Sequence, residues 1–168
     1  MERIALVSDI HSNIHALDIF MNYINNGCKV SRILNMGDFI QIGPNPVEVY
    51  DIIMNDKRFI NIMGNAESMF FDAEIMKRYE KESEHRDWVN SQLGNERMER
   101  LKQVPLQRIV EIENKKFLMV HSRMHSVIDF PLLYKKKTLE EFIADYDVNV
   151  DYVLIGHTHF PLYAVHWN

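Results

Sequence analysis

Short apolar runs that stop abruptly at a polar residue or a glycine set the frame of this chain. The first, Ile4-Ala5-Leu6-Val7, ends at Ser8 and Asp9, and a run of that length suits a strand buried on both faces. From Asn13 onward Ile14, Leu17, Met21 and Ile24 recur at three- and four-residue spacing, which predicts a helix with Gly27 as its terminating residue. The unit then repeats. Ile33-Leu34-Asn35-Met36 stops at Gly37-Asp38, a loop passes through Gly43-Pro44-Asn45, and Pro46 opens a second helix, where its missing N–H costs nothing. Phe59-Ile60-Asn61-Ile62-Met63 supplies a third strand closed by Gly64-Asn65. Strands alternating with helices point to an α/β sheet with helical crossovers.

Residues 66–104 carry charged, helix-forming residues with an interruption near Gly94-Asn95, so this stretch reads as a helical insert. Beyond Pro105 the strand texture returns. Arg108-Ile109-Val110-Glu111-Ile112 and Phe117-Leu118-Met119-Val120 flank a turn at Asn114-Lys115, which predicts an antiparallel hairpin. Thr138-Leu139-Glu140-Glu141 has capping-box spacing before a short helix, and Tyr152-Val153-Leu154-Ile155 is the last strand. With 168 residues, 46% of them hydrophobic, the chain can bury one continuous core. A single domain over 1–168 is expected, with its insert at about 66–104.

Charge and cysteine content narrow the function classes. There are 19 Lys and Arg against 24 Asp and Glu, a net charge of −5, so a coat for long nucleic acid is not expected. The lone Cys28 cannot form an internal disulfide, and nothing resembles a leader peptide or a span of about 20 apolar residues. These features predict a cytoplasmic protein without a membrane partner.

The polar residues that follow each strand carry the functional signal. Asp9 and His11 follow the first, Asp38 the second, Asn65 the third, His121 the hairpin, and His157 and His159 the last. Carboxyl ends of parallel strands form the binding crevice of α/β sheets. Residues at i and i+2 of an extended segment point the same way, so Asp9 with His11, and His157 with His159, are each expected to serve one locus. Singly, each is an ordinary turn or hydrogen-bonded residue. Jointly, burying so many polar groups without a purpose would be costly, and mixed His and Asp ligation suits manganese, iron, zinc or nickel better than calcium. Seven ligands suffice for two ions sharing one carboxylate.

These residues resemble the ordered motifs of the calcineurin-like metallophosphoesterase superfamily, and compact prokaryotic phosphodiesterases are nearest in layout. The matching segments are Asp9-Ile10-His11, Gly37-Asp38, Gly64-Asn65-Ala66-Glu67, His121 and Gly156-His157-Thr158-His159. The resemblance implies a four-layer α/β/β/α sandwich with a dinuclear centre. By motif, Asp9, His11, Asp38 and His159 would hold one divalent ion and Asp38, Asn65, His121 and His157 the other, with Asp38 bridging. Manganese is the foremost candidate, with iron, zinc, nickel or magnesium as alternatives. Such a pair activates a bridging hydroxide for in-line attack on phosphorus, so a small phosphoester or nucleotide is the expected substrate. Asp38 and Asn65 are thereby also expected to be catalytic.

One departure stands out. The position where the family carries a histidine that aids the leaving group is Ala66. General acid help is worth about 10²–10⁴ in rate, so diesters, anhydrides or activated aryl esters are expected over alkyl monoesters. Arg123 and His125 are candidate substrate contacts, with a surface role as the alternative for each. Glu67 reads as a helix N-terminal carboxylate favoured by the macrodipole. Met69, Phe70, Phe71 and Trp88 read as core or as a self-association surface, with an apolar contact to a nucleobase as the alternative, and His15 and His85 as structural. The alternatives to a phosphodiesterase are a phosphomonoesterase or protein phosphatase, or an interaction scaffold on the same fold. Family members usually continue with further strands after Gly-His-x-His, so the sandwich is expected to lack its last strands. Its edge should then be covered by a second copy, as a homo-oligomer, or by the chain's own helices.

Overall fold

Three parallel strands, β1 (Ile4–Val7), β2 (Arg32–Asn35) and β3 (Phe59–Asn61), pair in the order β1-β2-β3. This computed structural model describes residues 2–129, 140–142, 144, 146, 149–161 and 163–165. The crossovers are α1 (Ile14–Tyr23) and α2 (Pro46–Asn55). Asn13 caps α1 by accepting from the Ala16 N–H at 3.0 Å, and Pro46 sits in the first turn of α2. Gly27 does not terminate the first helix. The chain widens into a π-turn over Ile24–Cys28, which takes Gly27 inside it, and Lys29 ends the run in the left-handed region. Lys29 accepts that conformation because its N–H closes on the Ile24 carbonyl at 2.8 Å.

The insert consists of α3 (Asn65–Ser68), α4 (Ala73–Arg78), a 3₁₀ turn (Glu80–Glu82) and α5 (Ser83–Leu101). Gly94 breaks α5 with φ 69 and ψ 170, at the position the sequence marks. Beyond the break, the Arg97 guanidinium forks onto Asp51 of α2 with both bonds at 2.9 Å. The Tyr50 hydroxyl donates to the Arg97 carbonyl at 2.9 Å. The insert is thus pinned to the crossover layer.

The second sheet has the order β4-β5-β6, with β4 (Gln107–Ile112), β5 (Lys115–Val120) and β6 (Tyr152–Leu154). β4 and β5 form the antiparallel hairpin, and β5 and β6 run parallel. The turn is Glu113-Asn114, one residue earlier than the spacing suggests, and both residues have positive φ (48° and 64°). That is the backbone a two-residue hairpin with native twist requires.

Alternation along β2 shows how the layers assemble. Ile33 enters the core formed by Leu17, Val49, Tyr50, Ile53, Leu93 and Leu101 from the helices. Leu34 faces the other way and packs with Met36, Ile62, Val110, Ile112 and Met119, which belong to both halves of the chain. Helices, sheet and second sheet are therefore stacked in that order. The helical layer expected beyond the second sheet begins near Thr138, which lies outside the described residues, and its residues 140–142 and 144 are seen as helix. β1 is not buried on both faces. It has one strand neighbour among the described residues, and Leu6 is 49% exposed. No helix among the described residues is long and apolar enough to cross a membrane.

Candidate metal centre

Six of the seven predicted ligands stand in loops at the C-terminal ends of strands, Asn65 opens α3 beyond β3, and several of the loops are stitched together by backbone hydrogen bonds. Asp9 N–H donates to Gly37 O at 3.0 Å, His11 N–H to Asp38 O at 2.9 Å and Ser12 N–H to Phe39 O at 2.9 Å. On the other sheet, Gly156 N–H donates to His121 O at 2.8 Å. The two halves meet where His157 N–H donates to Asp9 Oδ2 at 3.0 Å.

The convergence has a different cause from the one the i, i+2 rule supplies. Asp9, His11, Asp38, His157 and His159 all have positive φ, between 48° and 64°, so these segments are not extended. Left-handed backbone costs a non-glycine residue about 1–3 kcal/mol and persists only where its surroundings fix it. Gly37 and Gly64 permit the close approach. Gly37 has φ 93°, and a Cβ on Gly64 would fall inside contact distance of the Asp38 carboxylate and backbone.

The side chains form two groups of ligand atoms within 4.8 Å of one another, Asp9 with His11 and His159, and Asp38 with His121 and His157. In the first, the Nε2 atoms of His11 and His159 are 3.3 Å apart, close enough for one ion about 2.1 Å from each to touch both. Asp9 Oδ1 lies 3.3 Å from the His159 nitrogen, is buried and makes no hydrogen bond. A buried carboxylate oxygen without a donor, facing imidazole nitrogens, is a donor set that fits a cation. Asp38 links the groups, its Oδ2 being 3.3 Å from His121 Nε2 and 3.8 Å from His11 Nε2. Its Oδ1 accepts the Ala66 N–H at 2.8 Å. Asn65 Oδ1 is 3.1 Å from His121 Nε2, and His121 Nδ1 is 2.7 Å from the Met36 carbonyl. That carbonyl can only accept, so the Nδ1 carries the proton and Nε2 is left as the ligand atom.

Burial and charge are balanced unevenly across the site. Burial lowers His121, but the hydrogen bond and charge of Asp38 outweigh it and lift the imidazole to about 9. Burial raises Asp38, and His121 more than compensates, leaving the carboxyl below its ordinary range. His11 and His157 are both lowered, first by burial. A cation held by His121 must displace its proton, so affinity for a divalent cation there should rise with pH and level off near about pH 9, with proton release. Titration calorimetry in buffers of different ionisation heat measures this; a flat profile without proton release would contradict it.

Glu67 is the residue whose role sequence reasoning missed. It is completely buried. Its Oε1 accepts the N–H groups of Phe39 and Ile40 at 2.9 and 3.0 Å, and its Oε2 those of Asp38 and Gly64, both at 2.8 Å. Burial and the Asp38 charge push its carboxyl up to about 7, against the pull of these donors. The three-residue reach back to Gly64 was legible as capping-box spacing, whereas the grip on residues 38–40 was not.

A cavity of about 160 Å³ opens over the site, lined by ligand residues together with Gln41, Ile42, Ala66, Met69, Tyr79 and Glu82. Met69, expected to be core or a self-association surface, is buried and lines it. Gln41, Ile42, Tyr79 and Glu82 gave no signal in the sequence. Arg123 and His125 are not among the lining residues. Arg123 pairs with Ser126 in an isolated bridge, and His125 is exposed with φ 65°.

The calcineurin-like phosphoesterase superfamily domain model matches residues 2–167. The chain belongs to that superfamily. This phosphoesterase domain is 27% identical over 159 residues to an uncharacterised protein of Methanocaldococcus jannaschii, covering 94% of this chain and 63% of that relative. The chain thus spans less than two thirds of that relative's length. Two crystal structures share the fold. A hypothetical protein from Pyrococcus horikoshii OT3 superposes with a TM-score of 0.79 at 18% identity, over 96% of this chain and 71% of its own. A metallophosphoesterase from Sphaerobacter thermophilus gives 0.68 at 22% identity, over 93% and 60%. The α/β fold with two sheets is therefore that of metallophosphoesterases, as the motifs imply, and the family chemistry is metal-dependent phosphoester hydrolysis.

Proposed function

We propose that this domain is a dinuclear metal-dependent phosphoric ester hydrolase that acts on small phosphodiesters, phosphoanhydrides or activated aryl esters in preference to alkyl monoesters. The observation that carries the reading is the place of Asp38, whose Oδ2 approaches His121 of its own group and His11 of the other beside one cavity. Asp9, His11, Asp38 and His159 would hold one ion and Asp38, Asn65, His121 and His157 the other, with manganese favoured by the mixed nitrogen and oxygen donors. Two divalent ions supply an activated water and a clamp for the phosphoryl oxygens.

The chain's own contribution is preorganisation. The Ala66 N–H holds Asp38 Oδ1, which leaves Oδ2 directed at the histidines. The Met36 carbonyl fixes the His121 ring and its tautomer. The cavity has room for a phosphoryl group and part of its substituents, with Ile42 and Met69 supplying apolar surface beside it. Position 66 offers only a methyl group at the place of the expected leaving-group acid, so esters with good leaving groups are favoured.

Manganese-loaded protein should hydrolyse bis(p-nitrophenyl) phosphate at least about tenfold faster than an alkyl phosphomonoester, judged by kcat/KM, since missing acid help weighs most on poor leaving groups. A clear preference for the alkyl monoester would overturn the diester assignment. Protein that binds no metal and turns over neither ester would fit an interaction scaffold instead.

A further inference from the structure

We propose that Tyr79, from the helical insert, is the hydrogen-bond donor to the departing oxygen of the substrate, at the place that Ala66 leaves without a side-chain donor. This rests on the phosphoesterase reading above.

The cavity's polar lining can be taken group by group. The imidazoles of His11, His157 and His159 belong to the ligand groups. Asn65 has its Oδ1 against His121 Nε2, so its NH₂ is held beside the ligand groups. One of the two Gln41 amide N–H groups is taken up by Met69 Sδ at 2.9 Å, which ties the amide to that side chain, and its Oε1 can only accept. Glu82, as a carboxylate, also can only accept and repels a phosphate. Tyr79 adds a neutral O–H donor from outside the ligand groups, on a residue that lines the same cavity as Asp38, Asn65 and Ala66. Among the described residues its hydroxyl has no hydrogen-bond partner, while its ring packs with Met69, Ile75 and Val127.

The backbone holds this residue in place from both sides. Tyr79 N–H donates to Ile75 O at 3.1 Å, ending α4, and Tyr79 O accepts from Glu82 N–H at 2.9 Å in the following 3₁₀ turn. A ring packed on apolar side chains between two fixed turns has little freedom to lose on binding substrate. Burial, and then the nearby Asp38 charge, raise the phenol above its ordinary value. It therefore keeps its proton at any working pH. Such a group stabilises negative charge on a departing oxygen by donating to it and does not hand over its proton, so good leaving groups remain preferred.

The test is Tyr79→Phe, which keeps the ring and removes only the oxygen. Manganese-loaded wild type and variant are compared on methyl aryl phosphodiesters with leaving groups from p-nitrophenol to phenol. Loss of one aligned donor is expected to lower kcat about 10²-fold for the phenyl ester and less than about threefold for the p-nitrophenyl ester. KM, metal content, melting temperature and inhibition by inorganic phosphate should stay unchanged. An equal loss across the series, a loss confined to KM, or no loss overturns the assignment while the phosphoesterase reading stands. Failure of the wild type to hydrolyse any ester in the series overturns both.

Discussion

Asp38→Asn is expected to lower kcat/KM for an activated diester by about 10³-fold or more and to deplete bound metal, while the fold is retained. Changing a residue that merely orients a ligand costs about 10–100-fold, and Asp38 Oδ2 lies within 3.8 Å of a histidine nitrogen from each group. The asparagine oxygen would stay with the Ala66 N–H, as Asp38 Oδ1 does at 2.8 Å. Its NH₂ would then occupy the place of Oδ2, which lies 3.3 Å from His121 Nε2 and 3.8 Å from His11 Nε2. A donor there opposes a cation at both positions and removes one negative charge from each. Asparagine tolerates the left-handed backbone that Asp38 adopts at φ 53°, so circular dichroism should be unchanged. Metal analysis alongside steady-state kinetics decides the matter; full metal occupancy with turnover within tenfold of wild type would refute the bridging role.

Glu67→Ala should be the most damaging single change to stability. It deprives four backbone N–H groups, those of Asp38, Phe39, Ile40 and Gly64, of their acceptor. Each unsatisfied buried donor costs about 1–3 kcal/mol, so the loss is about 4 kcal/mol or more. For a domain of this size that lowers Tm by roughly 8–16 °C. Glu67→Gln keeps one oxygen but turns an NH₂ toward two of the donors, and should lose about half as much. Calorimetric melting of the metal-free proteins measures both. A shift below about 3 °C for the alanine variant would show that this carboxylate does not hold the loop.

Much of this architecture was legible because strand and helix periodicities are local. Ile33 and Leu34 alternate between two cores as a period-two pattern requires, and Gly94 interrupts α5 where its conformational freedom is used. Errors arose where a local rule met a non-local constraint. Gly27 had the composition of a helix stop, yet the π-turn carried the chain on to Lys29. β1 had the texture of a central strand but lies at the edge of its sheet among the described residues, with Leu6 half exposed. The paired ligands were expected to converge through extended backbone, and they do so through left-handed turns.

The sequence by itself determined which residues stand at the ends of strands and, through their chemistry and order, which family the chain resembles. Donor identity and chain spacing are properties of the residues, so Asp9, His11, Asp38, Asn65, His121, His157 and His159 could be named as candidate ligands without coordinates. Tertiary structure alone decided what surrounds them. Glu67 is an ordinary helix-start carboxylate until the fold sets residues 38–40 against it, and Tyr79 is one aromatic residue among many until the insert packs it on Met69 at the cavity. Such contacts join segments distant in the chain, and no local pattern fixes the angle at which those segments meet.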